Sequence, residues 1–240
     1  SDPHIGAAIP KILYHSNDRH FSPSNPATIN SFGVLINYTG IACPNLVGQI
    51  DRDDLSLTET ACGGIFMFTR EVYEQVGGFD EDLFLYHEDH DLSWRIRLGG
   101  WKLMVTPKSV CHHHYNFNKG VQKFYWSEKN RLHILLKNLE YKTLILISPA
   151  LIVIELAQNI HALTHGWFRL KLQTYFEILV QFPQIARKRR QIKFSRKVND
   201  KEISRLYQGK IFVSGMKNPL IDYILSPLLN IYWKFIRGWI

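Results

Sequence analysis

The sequence of 240 residues is 45% hydrophobic, which is enough to bury a core and excludes a disordered chain. Its formal net charge of +8 is unevenly distributed, because residues 1–118 hold 8 Lys and Arg against 14 Asp and Glu, whereas residues 119–240 hold 21 against 7. The cysteines Cys43, Cys62 and Cys111 form no CxxC pair. This spacing excludes a disulfide framework and a thiolate zinc site and favours a reducing, cytosolic setting.

The charge asymmetry divides the chain into two predicted regions. An acidic region is suited to chemistry on a ligand, and a strongly basic region is suited to attachment to an anionic surface. We therefore expect residues 1–118 to carry the chemistry and residues 119–240 to attach the protein to its surroundings.

The first residues predict the interior of a domain. The chain opens on Ser1, and the apolar run over residues 5–14 predicts a buried strand. No basic start leads into this run, so no signal peptide is predicted. Loops and edge strands should follow, around an apolar island at residues 32–36.

Glycine pairs separate the elements predicted next. A buried strand is expected over residues 61–68, entered through Gly63 and Gly64. A short helix over residues 70–76 should end at the next glycine pair. A second helix should begin near Glu88, and a strand should start at residue 101 and run into the histidines at 112–114.

Six carboxylates fall within twelve residues of this region. They are Asp80, Glu81, Asp82, Glu88, Asp89 and Asp91. Acids in the first turn of a helix commonly complement its dipole, so a structural role is one interpretation. Repulsion between so many like charges instead favours a bound cation or a positively charged ligand. Both interpretations stay open on spacing alone.

Several motifs here follow the order and spacing of a known family. They are GGFDE at 77–81, the pair Glu88-Asp89, DLSWR at 91–95, GGW at 99–101 and a histidine after Pro107. Together they resemble the C-terminal half of a family 2 glycosyltransferase of the rhamnosyltransferase-like branch. The resemblance implies an α/β fold: the acceptor half of a GT-A nucleotide-diphospho-sugar transferase over residues 1–118, followed by a helical, membrane-associating tail over residues 119–240.

The resemblance also implies roles for individual residues. Asp89 would be the general base that removes the proton of the acceptor hydroxyl in an inverting transfer. A helix N-terminus would lower the pKa of Asp89 and the neighbouring acids would raise it, so the sequence leaves the balance open. Residues expected on the acceptor side are Glu88, Asp91, Gly63, Gly64 and Trp94.

A divalent metal, Mg or Mn, is expected on the leaving diphosphate, and His113 aligns best with the histidine that relatives use to help hold it. Two other interpretations stay open, namely a zinc pair formed by His112 and His114 and exposed polar residues at a strand end. The relatives' Asp-x-Asp motif has no counterpart on a predicted strand, because Asp51-Arg52-Asp53 lies in a polar loop. We therefore expect the donor-binding half to precede Ser1 and the chain alone to be inactive or nearly so.

The basic tail predicts membrane association. Residues 119–139 predict an amphipathic helix, and residues 143–163 reach the length of a membrane span only by including polar positions, so an in-plane helix and a span both stay open. The basic run 187–190 suits anionic headgroups, and the aromatic residues of 219–240 suit a membrane interface. We expect a protein at the cytoplasmic face of the cell membrane. Nucleic acid is not an expected partner, because no recognised binding fold accompanies the charge.

These features together predict an enzyme. It would move a sugar from a nucleotide-diphosphate donor to a hydroxyl of a lipid-linked glycan or a polysaccharide acceptor. The alternative is a non-catalytic, membrane-associated module that binds the acceptor.

Overall fold

A computed structural model describes residues 2–14, 27–114, 120–212 and 218–240. The strands are β1 Ile5–Tyr14, β2 Ile29–Ser31, β3 Val34–Asn37, β4 Ala42–Pro44, β5 Thr58–Glu59, β6 Met67–Phe68, β7 Lys102–His113 and β8 Tyr207–Gln208. The α-helices are α1 Arg70–Val76, α2 Glu88–Leu98, α3 Gln122–Asn138, α4 Tyr141–Thr164, α5 Phe168–Ser195, α6 Asp200–Ser204 and α7 Ser226–Ile236. A π-helical turn, Ile221–Leu225, leads directly into α7.

Two sheets carry the strands. The larger sheet has the order β2-β1-β7-β5, and β6 pairs with the first part of β1. The long strands β1 and β7 run parallel, with Ala8 opposite Met104 and Ile12 opposite Cys111. The smaller sheet has the order β4-β3-β8. Seven α-helices pack with these sheets in the described residues, which confirms the predicted mixed α/β fold.

Local capping signals set the bounds of the first two helices. The Thr69 hydroxyl accepts a hydrogen bond from the Val72 backbone N–H at 3.3 Å, and α1 ends at Gly77, whose φ is 74°. The second helix, α2, begins at Glu88 and is followed by Gly99 and Gly100, the latter with φ of 90°. Both predicted helices are confirmed.

The strand predicted over residues 61–68 is wrong except at its end, where Met67–Phe68 form β6. Between β5 and β6 the chain forms no strand, and Ile65 is exposed; Met67, within β6, is 76% exposed. A side-chain carbon placed on Gly63 would lie 2.5 Å from Cδ1 of Ile9, so the backbone at Gly63 crosses the side chains of β1 instead of pairing beside them. An apolar run in the sequence does not distinguish a segment that crosses a sheet from a strand that pairs within it.

Helix α2 lies between two hydrophobic clusters. Leu92 and Ile96 belong to a cluster with the residues of β1 and β7, and Trp94 and Leu98 belong to a cluster with the residues of the later helices. Because α2 is packed on both sides, its first turn is held in a fixed place. The predicted boundary between residues 118 and 119 lies outside the described residues, and the division into two regions stays a prediction.

Candidate active site

Two residues with left-handed backbone immediately precede α2. Tyr86 and His87 both have φ of 65°, a conformation that costs a residue with a side chain about 1–2 kcal/mol. Asn130 of α3 holds this turn, because its Nδ2 donates to the carbonyl oxygens of Leu85 and Tyr86 at 2.9 and 2.7 Å. Strained backbone held by its surroundings is concentrated at functional sites. The turn leads directly into Glu88 and Asp89, the first residues of α2.

A pair of buried histidines lies behind this turn. Nδ1 of His87 lies 3.2 Å from Nδ1 of His90, and Oγ of Ser127 lies 3.4 Å from Nε2 of His87. Burial lowers the pKa of His87 to about 4 and the pKa of His90 well below its ordinary value. Both rings are therefore neutral at neutral pH and add no positive charge near the acids. The sequence analysis did not identify this pair.

Asp89 lies in the first turn of α2 and is half-buried. Its Oδ1 accepts a hydrogen bond from the backbone N–H of His90 at 2.7 Å. Burial, and after it the charge of Glu88, raise the pKa of Asp89 to about 7. Burial and the charge of Glu88 therefore outweigh the backbone hydrogen bonds, which lower the pKa. A carboxylate with a pKa near the working pH is suited to general base catalysis.

The glycine pair lies against the same carboxylate. A side-chain carbon placed on Gly64 would lie 3.4 Å from Oδ2 of Asp89, and Gly64 is exposed. Gly63 is buried, and its N–H donates to Oγ of Ser93 at 3.3 Å. The structure thus brings Gly63, Gly64 and the half-buried pair Glu88 and Asp89 together, although they are 25 residues apart in sequence.

The structure does not support the acceptor contacts predicted for Asp91 and Trp94. Asp91 is fully buried; its Oδ2 accepts from Arg95 at 2.8 Å, and its Oδ1 contacts Lys137 Nζ at 2.7 Å and Asn138 Nδ2 at 2.8 Å. Burial would raise the pKa of Asp91, but the charges of Lys137 and Arg95 lower it. Trp94 is 3% exposed. Both residues are part of the core, where no acceptor reaches them.

Lysines of the later helices neutralise the earlier acids. Lys137 of α3 contacts Asp80 as well as Asp91, and Lys188 of α5 contacts Asp80 and lies 2.6 Å from Asp82. Burial would raise the pKa of Asp80, but the neighbouring lysines hold it well below its ordinary value. The cations that relieve the crowding of these acids therefore belong to the chain itself.

A cavity of about 640 Å³ lies beside these paired charges. Residues 75–82 line it on one side, and Gln184, Arg187 and Lys188 of α5 line it on the other. Its lining does not include Asp89 or Gly64. Because Asp80 and Asp82 in its lining are already paired with lysines, we place the candidate site at Asp89 and not in this cavity.

The acids and a histidine nearby do not fit a divalent metal. Within the part of the chain that the structure describes, one group of three ligand-type side chains lies within 4.8 Å: Asp80, Asp82 and His133. His133 is buried, and burial lowers its pKa to about 4, so its ring is neutral. A divalent cation there would lie beside the ammonium groups of Lys137 and Lys188, which repel it.

The histidine predicted as a metal ligand lies elsewhere. His113 is exposed at the end of β7, opposite Tyr14 of β1 in the parallel register. His112 and His114 are also exposed, and none of the three belongs to the metal-type group found in residues 2–14, 27–114, 120–212 and 218–240. The metal or diphosphate contact of His113 and the zinc pair stay predictions.

Comparisons with known proteins address this part of the chain. Residues 55–119 match a family model described as the N-terminal domain of galactosyltransferase. A 58-residue segment, 24% of the chain, is 38% identical to the N-acetylglucosaminyl-diphospho-decaprenol L-rhamnosyltransferases of two strains of Mycobacterium tuberculosis. This segment spans 19% of the length of those relatives.

A solved structure, GalNAc-T7 with UDP, GalNAc and Mn2+, aligns with 62% of this chain and 29% of its own chain, with a TM-score of 0.42 and 16% identity. The matches in sequence are the more specific of these findings, because one of them covers both Gly64 and Asp89. Residues 55–119 are therefore similar to a glycosyltransferase domain, and the resemblance to glycosyltransferases is confirmed for this part of the chain.

Proposed function

We propose that the protein transfers a sugar from a nucleotide-diphosphate donor to a hydroxyl of a lipid-linked or polysaccharide acceptor, with inversion, and that Asp89 is the general base. The observation that carries this proposal is the half-buried carboxylate of Asp89, which lies beside the exposed Gly64 with a pKa raised to about 7. The name of the mycobacterial relatives gives a lipid-linked sugar and a rhamnosyl transfer, which supports a lipid-linked acceptor.

The geometry suggests how the acceptor approaches. Gly64 has no side chain, so Oδ2 of Asp89 is open to a sugar hydroxyl from that side. Asp89 accepts the hydroxyl proton while the hydroxyl oxygen forms a bond to the anomeric carbon. The bond from that carbon to the diphosphate oxygen breaks on the opposite face, and its electron pair leaves with the nucleotide. Glu88 keeps the pKa of Asp89 high and offers a second carboxylate for acceptor hydroxyls.

A divalent cation bound to the donor would supply positive charge to the leaving diphosphate. Of the candidate ligands in this chain we propose His113, because the group of Asp80, Asp82 and His133 is neutralised by lysines. We also propose that residues 1–118 are the acceptor half of a GT-A fold, because the motifs in this part of the chain resemble those of family 2 glycosyltransferases.

Replacing Asp89 by Asn tests the proposal. The variant keeps the size of the side chain and removes the base, so sugar transfer by the complete gene product should fall about 10²–10⁴-fold. The control is Glu81→Gln, which removes an exposed acid of the same stretch and should change the rate less than about twofold. The transfer rate of the unchanged protein should rise with pH to a plateau above about 7, because the ionised form of Asp89 is the active one.

Two results would contradict this assignment. One is an Asp89→Asn variant that transfers sugar at the rate of the unchanged protein. The other is a complete gene product that binds the acceptor and transfers nothing in the presence of donor and metal, which would support the non-catalytic, acceptor-binding module instead.

A further inference from the structure

The outward face of α4 is apolar along its whole length. The exposed apolar side chains recur at helical spacing and are 44–72% exposed: Ile145, Ile152, Val153, Leu156, Ile160 and Leu163. The exposed face of a helix in a water-soluble domain is normally polar. Contiguous apolar surface of this kind marks an interaction site.

The inward face of α4 is packed into the protein. Ile147, Ala150 and Ile154 are buried in the hydrophobic cluster that also contains Trp94 of α2. Glu155 contacts Arg131 of α3, and its Oε2 lies 2.8 Å from Nζ of Lys171 of α5. Among the described residues α4 is the one helix long and apolar enough to cross a membrane. Crossing would require α4 to leave these contacts and would expose a buried ion pair network to lipid.

The neighbouring helices have the same outward character. Helix α4 contacts both α5 and α7, and Oη of Tyr232 in α7 donates to the carbonyl of Leu146 at 2.7 Å. On α5 the exposed apolar residues are Leu172, Phe176, Leu179 and Val180, and on the π-helical turn and α7 they are Ile224, Leu228, Ile231 and Phe235. Each set follows the spacing of one helix face. Three adjacent helices therefore present apolar stripes to the outside.

Exposed charge on these helices is almost entirely positive. The basic residues are Lys142, Arg169, Arg187, Arg190, Lys193 and Lys234. On α5 the exposed Arg187 and Arg190 continue the line of the apolar stripe toward the C-terminal end of the helix. A second copy of the chain would bring this positive charge against itself. A bilayer with anionic headgroups instead matches both the apolar stripes and the cations around them.

We propose that α4, the first half of α5 and α7 form a membrane-docking surface, on which α4 lies in the plane of an anionic bilayer and does not cross it. The apolar stripes enter the boundary between headgroups and acyl chains, and Arg187 and Arg190 contact lipid phosphates. The proposal does not depend on the role of Asp89.

Vesicle flotation tests the surface with a matched pair of variants. Ile152 on α4 and Ile50, outside these helices, are both 59% exposed, so Glu at either position should leave the fold intact. We expect the full chain to float with phosphatidylcholine vesicles that contain about 30 mol% phosphatidylglycerol and bind pure phosphatidylcholine at least about tenfold more weakly. Ile152→Glu should weaken flotation at least about tenfold, because a carboxylate in the acyl region is costly, and Ile50→Glu should not.

Two outcomes would overturn the surface. One is equal flotation of Ile152→Glu and Ile50→Glu, with both variants folded by circular dichroism. The other is an unchanged chain that does not float and instead self-associates in a way that Ile152→Glu abolishes, which would identify a second copy as the occupant.

Labelling of cysteines tests the in-plane placement. In a Cys111→Ser background, single cysteines at Lys142 and His165 lie at the two ends of α4, and the native Cys43 and Cys62 are buried. With the chain bound to the outside of sealed vesicles, a membrane-impermeant maleimide should label both positions to the same extent. Labelling of one end only, with the other protected until the vesicles are lysed, would show that α4 crosses the bilayer.

Discussion

Carboxylates of the stretch from Asp80 to Asp91 have two different environments. The paired acids, Asp80, Asp82 and Asp91, contact lysines of later helices, and Asp91 also contacts Arg95. Asp89 instead accepts one backbone hydrogen bond and lies against Gly64. The pKa of Asp91 is lowered, whereas the pKa of Asp89, two residues away, is raised to about 7.

The difference shows that proximity in sequence does not decide what a buried acid does. Burial alone raises the pKa of a carboxyl group, and a cation at hydrogen-bond distance reverses the shift. The paired acids fix the later helices onto the acidic region. Among the described residues, the charged form of Asp89 has no such cationic partner and is disfavoured by burial. Its carboxylate therefore binds a proton more readily than an ordinary one, as a general base must.

The largest expected effect comes from removing the cation between the paired acids. Lys137→Met keeps most of the side-chain volume and leaves the buried Asp91 and Asp80 with one partner fewer. We expect the free energy of unfolding to fall by about 3–5 kcal/mol at pH 7, because the two carboxylates stay charged and lose the cation that they share. Urea denaturation measures this change.

Lys142→Met is the matched control, because Lys142 is exposed at the start of α4. It should change the free energy of unfolding by less than about 0.5 kcal/mol. If the free energy of unfolding fell by the same small amount in both variants, the pairing of Lys137 with the acids would not contribute to stability. The proposed difference between the paired acids and Asp89 would then be wrong.

A smaller effect, of opposite sign, is expected at Asp89. Its pKa is about 7 in the folded protein and about 3.8 when unfolded, so the folded state binds more protons between these values and its stability falls as pH rises through that window. Asp89→Asn removes this loss. At pH 8 the variant should be more stable than the unchanged protein by about 2 kcal/mol, less than the full shift corresponds to, because the half-buried carboxylate is partly solvated.

The stability difference between the two proteins should shrink as pH falls. Near pH 4 the carboxyl group of Asp89 is protonated in the folded state and about half protonated in the unfolded state, so little of the ionisation effect remains and the two denaturation curves should approach each other. A constant difference from pH 4.5 to pH 8 would show that the asparagine side chain of the variant packs differently and that ionisation of Asp89 is not the cause.

An effect of similar size is expected at the turn before α2. Asn130→Ala removes the two hydrogen bonds to the carbonyls of Leu85 and Tyr86, which should cost about 1–3 kcal/mol of stability. Because the left-handed turn positions Asp89, the transfer rate should also fall, and its pH midpoint should move toward lower pH as the carboxylate becomes more exposed. Gln122→Ala, at an exposed amide of the same helix, should do neither. An unchanged pH midpoint in Asn130→Ala would remove the positioning role.

Part of this arrangement follows from local sequence. The bounds of α1 and α2 are predictable because Thr69 and the glycine pairs act within one turn of the helix ends. The strand expected over residues 61–68 forms only at Met67–Phe68, because contact of Gly63 with Ile9 depends on the packing of β1.

Pairing of the acids could not be predicted in the same way. Lys188 lies more than a hundred residues from Asp80, and nothing in the spacing of either segment links them. The pKa of Asp89 depends on how deeply the first turn of α2 is buried, and that burial is set by Asn130 and the helices that follow. The motif resemblance predicted a site role for Asp89, but it predicted one for Asp91 and Trp94 as well. These two residues belong to the same motif but are buried in the core.

The most direct test of Asp89 as the base is the pKa of its own carboxyl group. The ¹³C chemical shift of that carboxyl, assigned by the signal missing in Asp89→Asn, is followed from pH 3 to pH 9 in the isolated chain. A midpoint of about 7 is predicted. A midpoint near the ordinary value of about 4 would contradict the proposal. It would show that the carboxylate is either solvated or paired with a cation, as its neighbours are, and is therefore a weak base.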